Sequence, residues 1–216
     1  MESLLDKYLH AHTTAPEPAL EWIEARTNIH TNYPQMLSGP IQGRLLRMLV
    51  ELSCARRVLE IGTFTGYSAA CMALGLPEGG HIDTLEVNDE LEDLVRDGWA
   101  RAGVADRISL HIGDAREFLA SLPEGREDYD LVYIDANKRE YLDYYKLVVP
   151  HLRPGGLIVA DDVLQGGKVY SEPRPSDAQT SGLAAFNDFV ASDGRVETVM
   201  LPIRGGISLI RKKITF

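Results

Sequence analysis

Acidic side chains stand at the ends of five short apolar runs in this 216-residue chain. In the stretch IVADDVLQGG, two of them, Asp161 and Asp162, are adjacent. Neighbouring carboxylates repel each other and are costly to bury, so this pair needs a positively charged partner. A hard divalent cation, an amino group or a sulfonium would serve, whereas a phosphate would be repelled. The acids at the run ends are Glu60, Glu86, Asp114, Asp135 and the Asp161–Asp162 pair.

The apolar runs alternate with helix-like segments, which predicts an α/β fold. They read RVLEIG, HIDTLEV, ISLHIGD, YDLVYIDA and GLIVADD, and their order predicts a mostly parallel sheet with helices on both faces. Near the C-terminus, VETVMLP and ISLIRKK flank a short IRGG connection, which predicts an antiparallel hairpin. Ligands of such sheets bind beyond the carboxyl ends of the strands, where the acids stand.

The first predicted turn, EIGTFTGYS, contains two glycines, Gly62 and Gly66, that let the backbone approach a ligand. The turn lacks the G-x-G-x-x-G pattern, and Glu60 before it would repel a pyrophosphate. It therefore favours a ligand that carries an amino group or a sulfonium, although a plain strand-to-helix turn stays open.

For two further acids, the sequence allows both a binding role and a structural role. Glu86, in TLEVND, is interpreted as an acceptor for ribose hydroxyls, with Asp89 as the cap of the next helix. Asp114, in HIGDAREF, fits either a helix N-cap or an acceptor for an adenine amino group, and the two roles are compatible.

Length and composition fit one globular domain, 1–216, in which 1–50 is a helical segment. The chain is 44% hydrophobic, and its net charge of −10 argues against nucleic acid as a partner. The sequence shows neither a signal peptide nor a run long enough to span a membrane, which predicts a cytoplasmic protein that is not attached to a membrane. Cys54 and Cys71 lie in apolar contexts and are interpreted as buried, reduced thiols.

Several ordered motifs resemble the cation-dependent O-methyltransferases, the group of the caffeoyl-CoA and catechol enzymes and their small bacterial relatives. The motifs are VLEIGTFTGYSAACMALGL, TLEVND, YIDANKREY, IVADDVLQGG and LPIRGGISLIRKK, and the similarity runs from about Met36 to the C-terminus. The resemblance implies a Rossmann-like, seven-stranded sheet with an antiparallel last strand. It also implies S-adenosyl-L-methionine as the methyl donor and a homodimer.

The resemblance further implies site residues, matched motif by motif. Lys138 matches the catalytic lysine, acting with Asp135, and Met36 falls near a lid over cofactor and substrate. Asp135, Asp161 and Asp162 match the metal ligands, although most of the family has asparagine at the third position. The cofactor-binding set comprises the methionine-end residues Glu60, Gly62, Thr63, Gly66 and Ser68, the ribose acid Glu86, the adenine-edge residues Asp114 and Ala115, and Met36 and Asp135.

The implied reaction is methyl transfer from a sulfonium to a hydroxyl of a small catechol-like or phenolic acceptor. Phenols have a pKa near ~10, so a bound divalent cation that lowers this pKa would assist. Mg²⁺ fits three carboxylates and two vicinal hydroxyls, with Mn²⁺ or Ca²⁺ as alternatives. Lys138 would take the proton or stabilise the phenolate. The nearby Tyr141 and Asp143 are interpreted as helix packing and helix surface.

Other interpretations stay open from the sequence alone. Lys138 could be a surface lysine, and Asp162 could cap a turn while Asp161 alone binds a metal. In the loop GGKVYSEPRPSDAQT, Lys168, Tyr170 and Arg174 could contact substrate or belong to a mobile surface loop. Many family members carry tryptophan where this chain has Gln165. The alternative functions are a methyltransferase with no metal step or another acceptor, a nicotinamide-dependent oxidoreductase, and an inert binding protein.

Overall fold

The computed structural model describes residues 4–123, 125–126 and 128–214. Helices and strands alternate through most of this chain, as the pattern of apolar runs predicts. In chain order they are α1 (Leu4–Ala11), α2 (Pro18–His30), α3 (Gly39–Leu52), β1 (Arg57–Ile61), α4 (Tyr67–Leu74), β2 (His81–Glu86), α5 (Glu92–Ala102), β3 (Ile108–Ile112), α6 (Ala115–Ala120), β4 (Tyr129–Ile134), α7 (Tyr141–Val148), β5 (Leu152–Asp161), α8 (Ala178–Ser192), β6 (Val196–Leu201) and β7 (Ile207–Lys212).

The strands form a seven-stranded sheet in the order β3-β2-β1-β4-β5-β7-β6. β1 pairs in parallel with β4, and β4 pairs in parallel with β5. β7 runs antiparallel to both β5 and β6, so the predicted C-terminal hairpin and the reversed last strand are confirmed. The strand order changes direction between β1 and β4, the type of place where open α/β sheets bind ligands.

Residue contacts divide the chain into two compact units. The first unit contains α1 to α5, and the second contains α6 to α8 and most of the sheet. The prediction of one domain over 1–216 stays a prediction. The first unit comprises 1–56, 63–82 and 88–110, and the second comprises 57–62, 83–87 and 111–216.

The core of the second unit joins α7 and α8 to the strands. Tyr141, Tyr145 and Phe186 are fully buried there. The ring of Phe186 lies edge-on to both tyrosines, with centroids 5.6 and 5.9 Å away. Offset and edge-on aromatic pairs of this kind add to the stability that burial alone provides. These contacts fix the position of α7, the helix that follows β4, against α8.

In the first unit, buried polar contacts hold α2 and α5 near the turn that precedes α4. The Thr27 hydroxyl donates to Thr65 at 2.9 Å. The Trp99 indole N–H donates to the Gly66 carbonyl at 2.9 Å. Gly66 has a φ of +78°, and a Cβ there would overlap the Trp99 ring. The turn thus has a structural reason for its second glycine.

Three details differ from the sequence predictions or bear on them. Cys71 is buried as predicted, but Cys54 is exposed, because it lies in the turn after α3 with a φ of +51°. α5 begins at Glu92 with Leu91 as its cap residue, so the prediction that Asp89 caps this helix is wrong. No helix within the described residues is long and apolar enough to cross a membrane.

The end of β1 fits tightly against the end of β4. The Asp135 N–H donates to the Ile61 carbonyl at 2.9 Å, and the Gly62 N–H donates to the Leu85 carbonyl at 2.9 Å. Gly62 has a φ of +100°, and a Cβ at this position would overlap the Asp135 carbonyl oxygen. Only glycine fits here without moving Asp135.

We therefore expect Gly62→Ala to lower the free energy of unfolding by about 1 to 3 kcal/mol, the usual cost of a strained backbone residue. Denaturant unfolding would measure the change. The matched control is Gly194→Ala, since Gly194 has no positive φ and open space around it. Equal effects of the two substitutions would contradict the close approach at Gly62.

Candidate active site

The ends of β4 and β5 carry the acids that sequence analysis singled out for chemistry. Asp135 directly follows β4, and Lys138 opens a 3-10 turn, Lys138–Glu140, that leads into α7. The Lys138 ammonium donates to Asp135 Oδ1 at 2.8 Å and to the Tyr141 hydroxyl at 2.7 Å. A charge-assisted hydrogen bond of this length is a strong one, so Asp135 and Lys138 act as one unit.

Lys138 is not the surface residue that its type would suggest. Its side chain is only 14% exposed. Burial by itself would lower the pKa of Lys138, but the Tyr141 hydroxyl and the Asp135 carboxylate beside it raise that pKa above its usual value. The ammonium group therefore stays charged in the protein without a ligand, and it forms a fixed cation near the end of β4.

The Asp161–Asp162 pair lies where β5 ends. Asp161 is the last residue of the strand and is buried, while Asp162 is half-buried with a φ of +57°. This left-handed conformation, which aspartate tolerates better than most residues, ends the strand between the two carboxylates. The bend that separates the two carboxylates thus lies at Asp162 itself, before Gly166 and Gly167.

Asp162 turns toward Lys138. Its Oδ2 atom is 4.0 Å from the Lys138 ammonium. Burial raises the pKa of Asp162, and the Asp135 carboxylate raises it further, while Lys138 opposes the rise. The structure therefore brings Asp135, Lys138 and Asp162 together, with the ammonium within reach of both carboxylates.

The β6–β7 hairpin supports the turn that carries Asp162. Its Gly205 carbonyl accepts from the Leu164 N–H at 2.8 Å, and its Gly206 carbonyl accepts from the Val163 N–H at 3.1 Å. A Cβ at Gly205 would overlap the Asp162 carboxylate. The bare backbone of the hairpin loop is therefore what leaves room for this side chain.

A preformed metal centre is not seen among the residues that the structure describes. None of their His, Cys, Asp and Glu side chains form a group of three or more that could hold a metal ion. Asp135 and Asp162 share the Lys138 ammonium, and Asp161 adds its backbone carbonyl to the same region as an acceptor for Tyr141. The ligand set Asp135, Asp161 and Asp162 stays a prediction.

Two tyrosines belong to this region that the sequence analysis did not place in it. The Tyr133 hydroxyl donates to Asp135 Oδ2 at 3.3 Å. The Tyr141 hydroxyl lies within 3.2 Å of the Ile134 carbonyl and 2.9 Å of the Asp161 carbonyl, in addition to Lys138. Helix packing is thus only part of the role of Tyr141. The sequence feature that could have predicted this contact is the position of Tyr141, three residues after Lys138 at the start of a helix.

Among the residues predicted for the cofactor, Glu60 and Glu86 lie in the second unit on adjacent strands. Glu60 is fully buried in β1 and accepts from the Thr84 hydroxyl at 2.5 Å. Glu86 ends β2 and is partly exposed, and its Oε1 atom accepts from the Val87 N–H at 2.9 Å. A carboxylate at a strand end with a fixed orientation suits a ribose-binding role.

Asp114 is the N-cap of α6, which confirms one of its two proposed roles. It accepts from the Arg116 N–H at 2.8 Å and from the Arg116 guanidinium at 2.6 and 3.1 Å. These hydrogen bonds lower the pKa of Asp114 to about 2, so the carboxylate is charged at neutral pH. Ala115, the other adenine-edge candidate, is the first residue of the helix.

Four of the cofactor candidates, Met36, Thr63, Gly66 and Ser68, lie in the first unit. Thr63 and Ser68 are buried, and the Thr63 carbonyl accepts from the Gly66 N–H at 2.9 Å, which closes the turn into α4. Met36 lies in a short 3-10 turn and is 54% exposed. An exposed, flexible apolar side chain is compatible with a lid, and this role stays a prediction.

The loop after β5 is anchored through Gln165. Its Oε1 atom accepts from the Thr180 hydroxyl at 2.7 Å, and its Nε2 atom donates to Gln179 at 3.2 Å. Both partners belong to the first turn of α8. Gln165 thus ties the loop to a helix, while Lys168 and Tyr170 further along it are exposed.

The sequence of this chain is similar to those of known O-methyltransferases. The family model described as O-methyltransferase matches residues 11–213. Caffeoyl-CoA O-methyltransferase 1 from Eucalyptus globulus is 36% identical over 207 residues, covering 91% of this chain and 82% of that protein. The catechol O-methyltransferase of Niastella koreensis is 34% identical over 173 residues, covering 80% and 78%.

Solved structures agree with the family model. The O-methyltransferase TomG from Streptomyces achromogenes, involved in tomaymycin synthesis and solved in complex with SAM, is similar with a TM-score of 0.90. The two chains are 30% identical, and the match covers 99% of this chain and 97% of that one.

Proposed function

This chain belongs to the O-methyltransferase family, and we propose that it transfers the methyl group of S-adenosylmethionine to a hydroxyl of a small catechol-like or phenolic acceptor with the help of a divalent cation. One observation carries the proposal: a charged lysine, its side chain only 14% exposed, is held by Asp135 beside Asp162 at the ends of β4 and β5. A fixed cation among strand-end carboxylates suits a reaction that turns a hydroxyl into an oxyanion.

The methyl donor and the acceptor class are supported by the relatives and by the charge of the site. TomG is solved in complex with SAM, and two relatives are named for caffeoyl-CoA and catechol. Glu86 and Asp135 offer partly exposed carboxylates to a ligand with hydroxyls and a sulfonium, and the carboxyl group of Glu60 lies fully buried in β1. Such a set would repel the pyrophosphate of a nicotinamide cofactor, which argues against an oxidoreductase.

The cation is supported by the chemistry of the donor set. Carboxylate oxygens are the ligands that Mg²⁺ prefers, and the left-handed turn at Asp162 lets it point to the same side as Asp135. Asp135, Asp161 and Asp162 are the residues that would hold the cation. When bound, it would lower the pKa of the acceptor hydroxyl and fix the oxygen in place.

Lys138 would act on the acceptor oxygen directly. Its ammonium is charged, and Asp135 and Tyr141 accept two of its three N–H groups. A third N–H donor can stabilise the oxyanion that forms when the acceptor hydroxyl gives its proton to solvent water. We therefore assign Lys138 to stabilising the acceptor oxyanion, with Asp135 holding the ammonium in place.

A second candidate is methyl transfer without a metal step. It is favoured by the position of the Lys138 ammonium, which already lies between Asp135 and Asp162 and offsets their charge. In this case the lysine alone would stabilise the oxyanion. Metal removal separates the two candidates.

The proposal extends to the setting of the enzyme. We take it to act as a homodimer, as the family resemblance implies, and as a cytoplasmic protein with one methyltransferase domain, as length and composition predict. Neither a membrane nor a nucleic acid is part of the proposal, in keeping with the net charge of −10.

We expect EDTA to abolish methyl transfer from S-adenosylmethionine to a catechol, and Mg²⁺ or Mn²⁺ to restore it. The physical reason is that the acceptor hydroxyl is almost wholly protonated near pH 7 unless a cation lowers its pKa. Transfer of a labelled methyl group would be followed. A monophenol serves as the matched acceptor, because it lacks the second hydroxyl for a chelate. Full activity in EDTA would rule out the metal step and favour the second candidate.

We further expect Asp162→Asn to weaken Mg²⁺ or Mn²⁺ binding by about tenfold or more, because it removes a negative charge close to the ion. Titration calorimetry measures this without turnover. Asp143→Asn is the matched control, since Asp143 is exposed on α7. Tighter metal binding by Asp162→Asn would contradict a ligand role for Asp162.

A further inference from the structure

We propose that Tyr141 is a positioning residue that fixes the Lys138 ammonium group for methyl transfer. The inference rests on the proposed function, because it takes Lys138 as the residue that meets the acceptor oxygen. Tyr141 would not touch the reacting atoms itself. It would act by holding Lys138 to the ends of the two strands that carry the aspartates.

The hydrogen bonds of the Tyr141 hydroxyl have a clear direction. The Lys138 ammonium has only donors, so Tyr141 accepts from it at 2.7 Å. Burial raises the pKa of Tyr141, so the hydroxyl keeps its own proton. It donates that proton to the Asp161 carbonyl at 2.9 Å, with the Ile134 carbonyl 3.2 Å away as a weaker acceptor. One hydroxyl thus links the last residue of β5 to the lysine.

The Tyr141 ring is held where it can act as a rigid support. Tyr141 is the first residue of α7 and is fully buried. Its ring meets Phe186 of α8 edge-on, at a centroid distance of 5.6 Å. A tyrosine has few rotatable bonds, so a buried ring with such contacts places its hydroxyl with little conformational freedom.

Lys138 needs such a support, since its four-carbon side chain is flexible. One of its N–H groups donates to Asp135, three residues before it in the sequence, and another donates to Tyr141, three residues after it. The ammonium also lies 4.9 Å from the centre of the Tyr141 ring, within the range of a cation–π contact. Two fixed partners restrict the direction of the third N–H more than a single partner would, and in the proposed function this N–H meets the acceptor oxygen.

Core packing alone is the competing explanation for Tyr141, and α7 supplies matched controls. Tyr144 and Tyr145 are buried in the same helix, and their hydroxyls donate to Glu140 at 2.5 Å and to Asp193 at 2.9 Å. Neither contact involves Lys138. Tyr145→Phe therefore removes a buried hydroxyl from α7 without touching the lysine.

The first experiment measures how firmly the ammonium is held, and it needs no activity. In protein labelled with ¹⁵N-lysine, we expect a slowly exchanging ammonium signal from Lys138, assigned by its loss in Lys138→Met. Tyr141→Phe should speed its exchange with water by about tenfold or more, whereas Tyr145→Phe should leave the signal unchanged. A missing signal in the wild-type protein, or an unchanged one in Tyr141→Phe, would overturn the proposal.

The second experiment tests whether the positioning matters for the reaction. We expect Tyr141→Phe to lower kcat for a catechol about tenfold, with the KM for S-adenosylmethionine changed less than about twofold. In a Lys138→Met background the same substitution should change kcat less than about twofold, because its effect acts through the lysine. An equal loss in both backgrounds, or an equal loss from Tyr145→Phe, would overturn the proposal.

The two experiments separate this inference from the proposed function. A wild-type protein that transfers no methyl group to catechols, with or without metal, would refute the proposed function. The exchange measurement would then still decide whether Tyr141 fixes Lys138, because it is made on the protein alone.

Discussion

The negative charge gathered where β4 and β5 end is the constraint on which the site depends. Asp135 and Asp162 face a common region, and burial raises the pKa of Asp162 there. The Lys138 ammonium, which is hydrogen-bonded to Asp135 and Tyr141, offsets part of this charge. Removing one partner of such a buried group would leave an uncompensated charge, so these residues form an interdependent set.

The backbone around the aspartates serves this arrangement. The left-handed turn at Asp162 separates it from the strand that Asp161 ends, and the Gly205–Gly206 backbone holds that turn from the side of the hairpin. On the other side, Gly62 lets the end of β1 approach Asp135 without a clash. The antiparallel β6–β7 hairpin thus has a structural role in the proposed site, since it supports the turn that carries Asp162.

The fold was predictable because its strands are short apolar runs with clear ends, and parallel strands bring those ends to one edge of the sheet. The placement of Asp135 near Lys138 followed from a spacing of three residues. Other features depend on distant parts of the chain. Tyr141 reaches Asp161 across 20 positions, and Asp162 adopts a backbone conformation that aspartate only tolerates, so neither is fixed by local sequence.

The central claim is that the carboxylates at the ends of β4 and β5 serve the chemical step and not chiefly the binding of the methyl donor. Asp135→Asn tests it most directly, because this variant keeps the shape of the side chain and removes its charge. The account predicts that methyl transfer to a catechol falls by at least about a hundredfold, while calorimetry gives an affinity for S-adenosylmethionine within a few-fold of the wild-type value. Retained methyl transfer, or a collapse of cofactor affinity that accounts for its loss, would contradict the account.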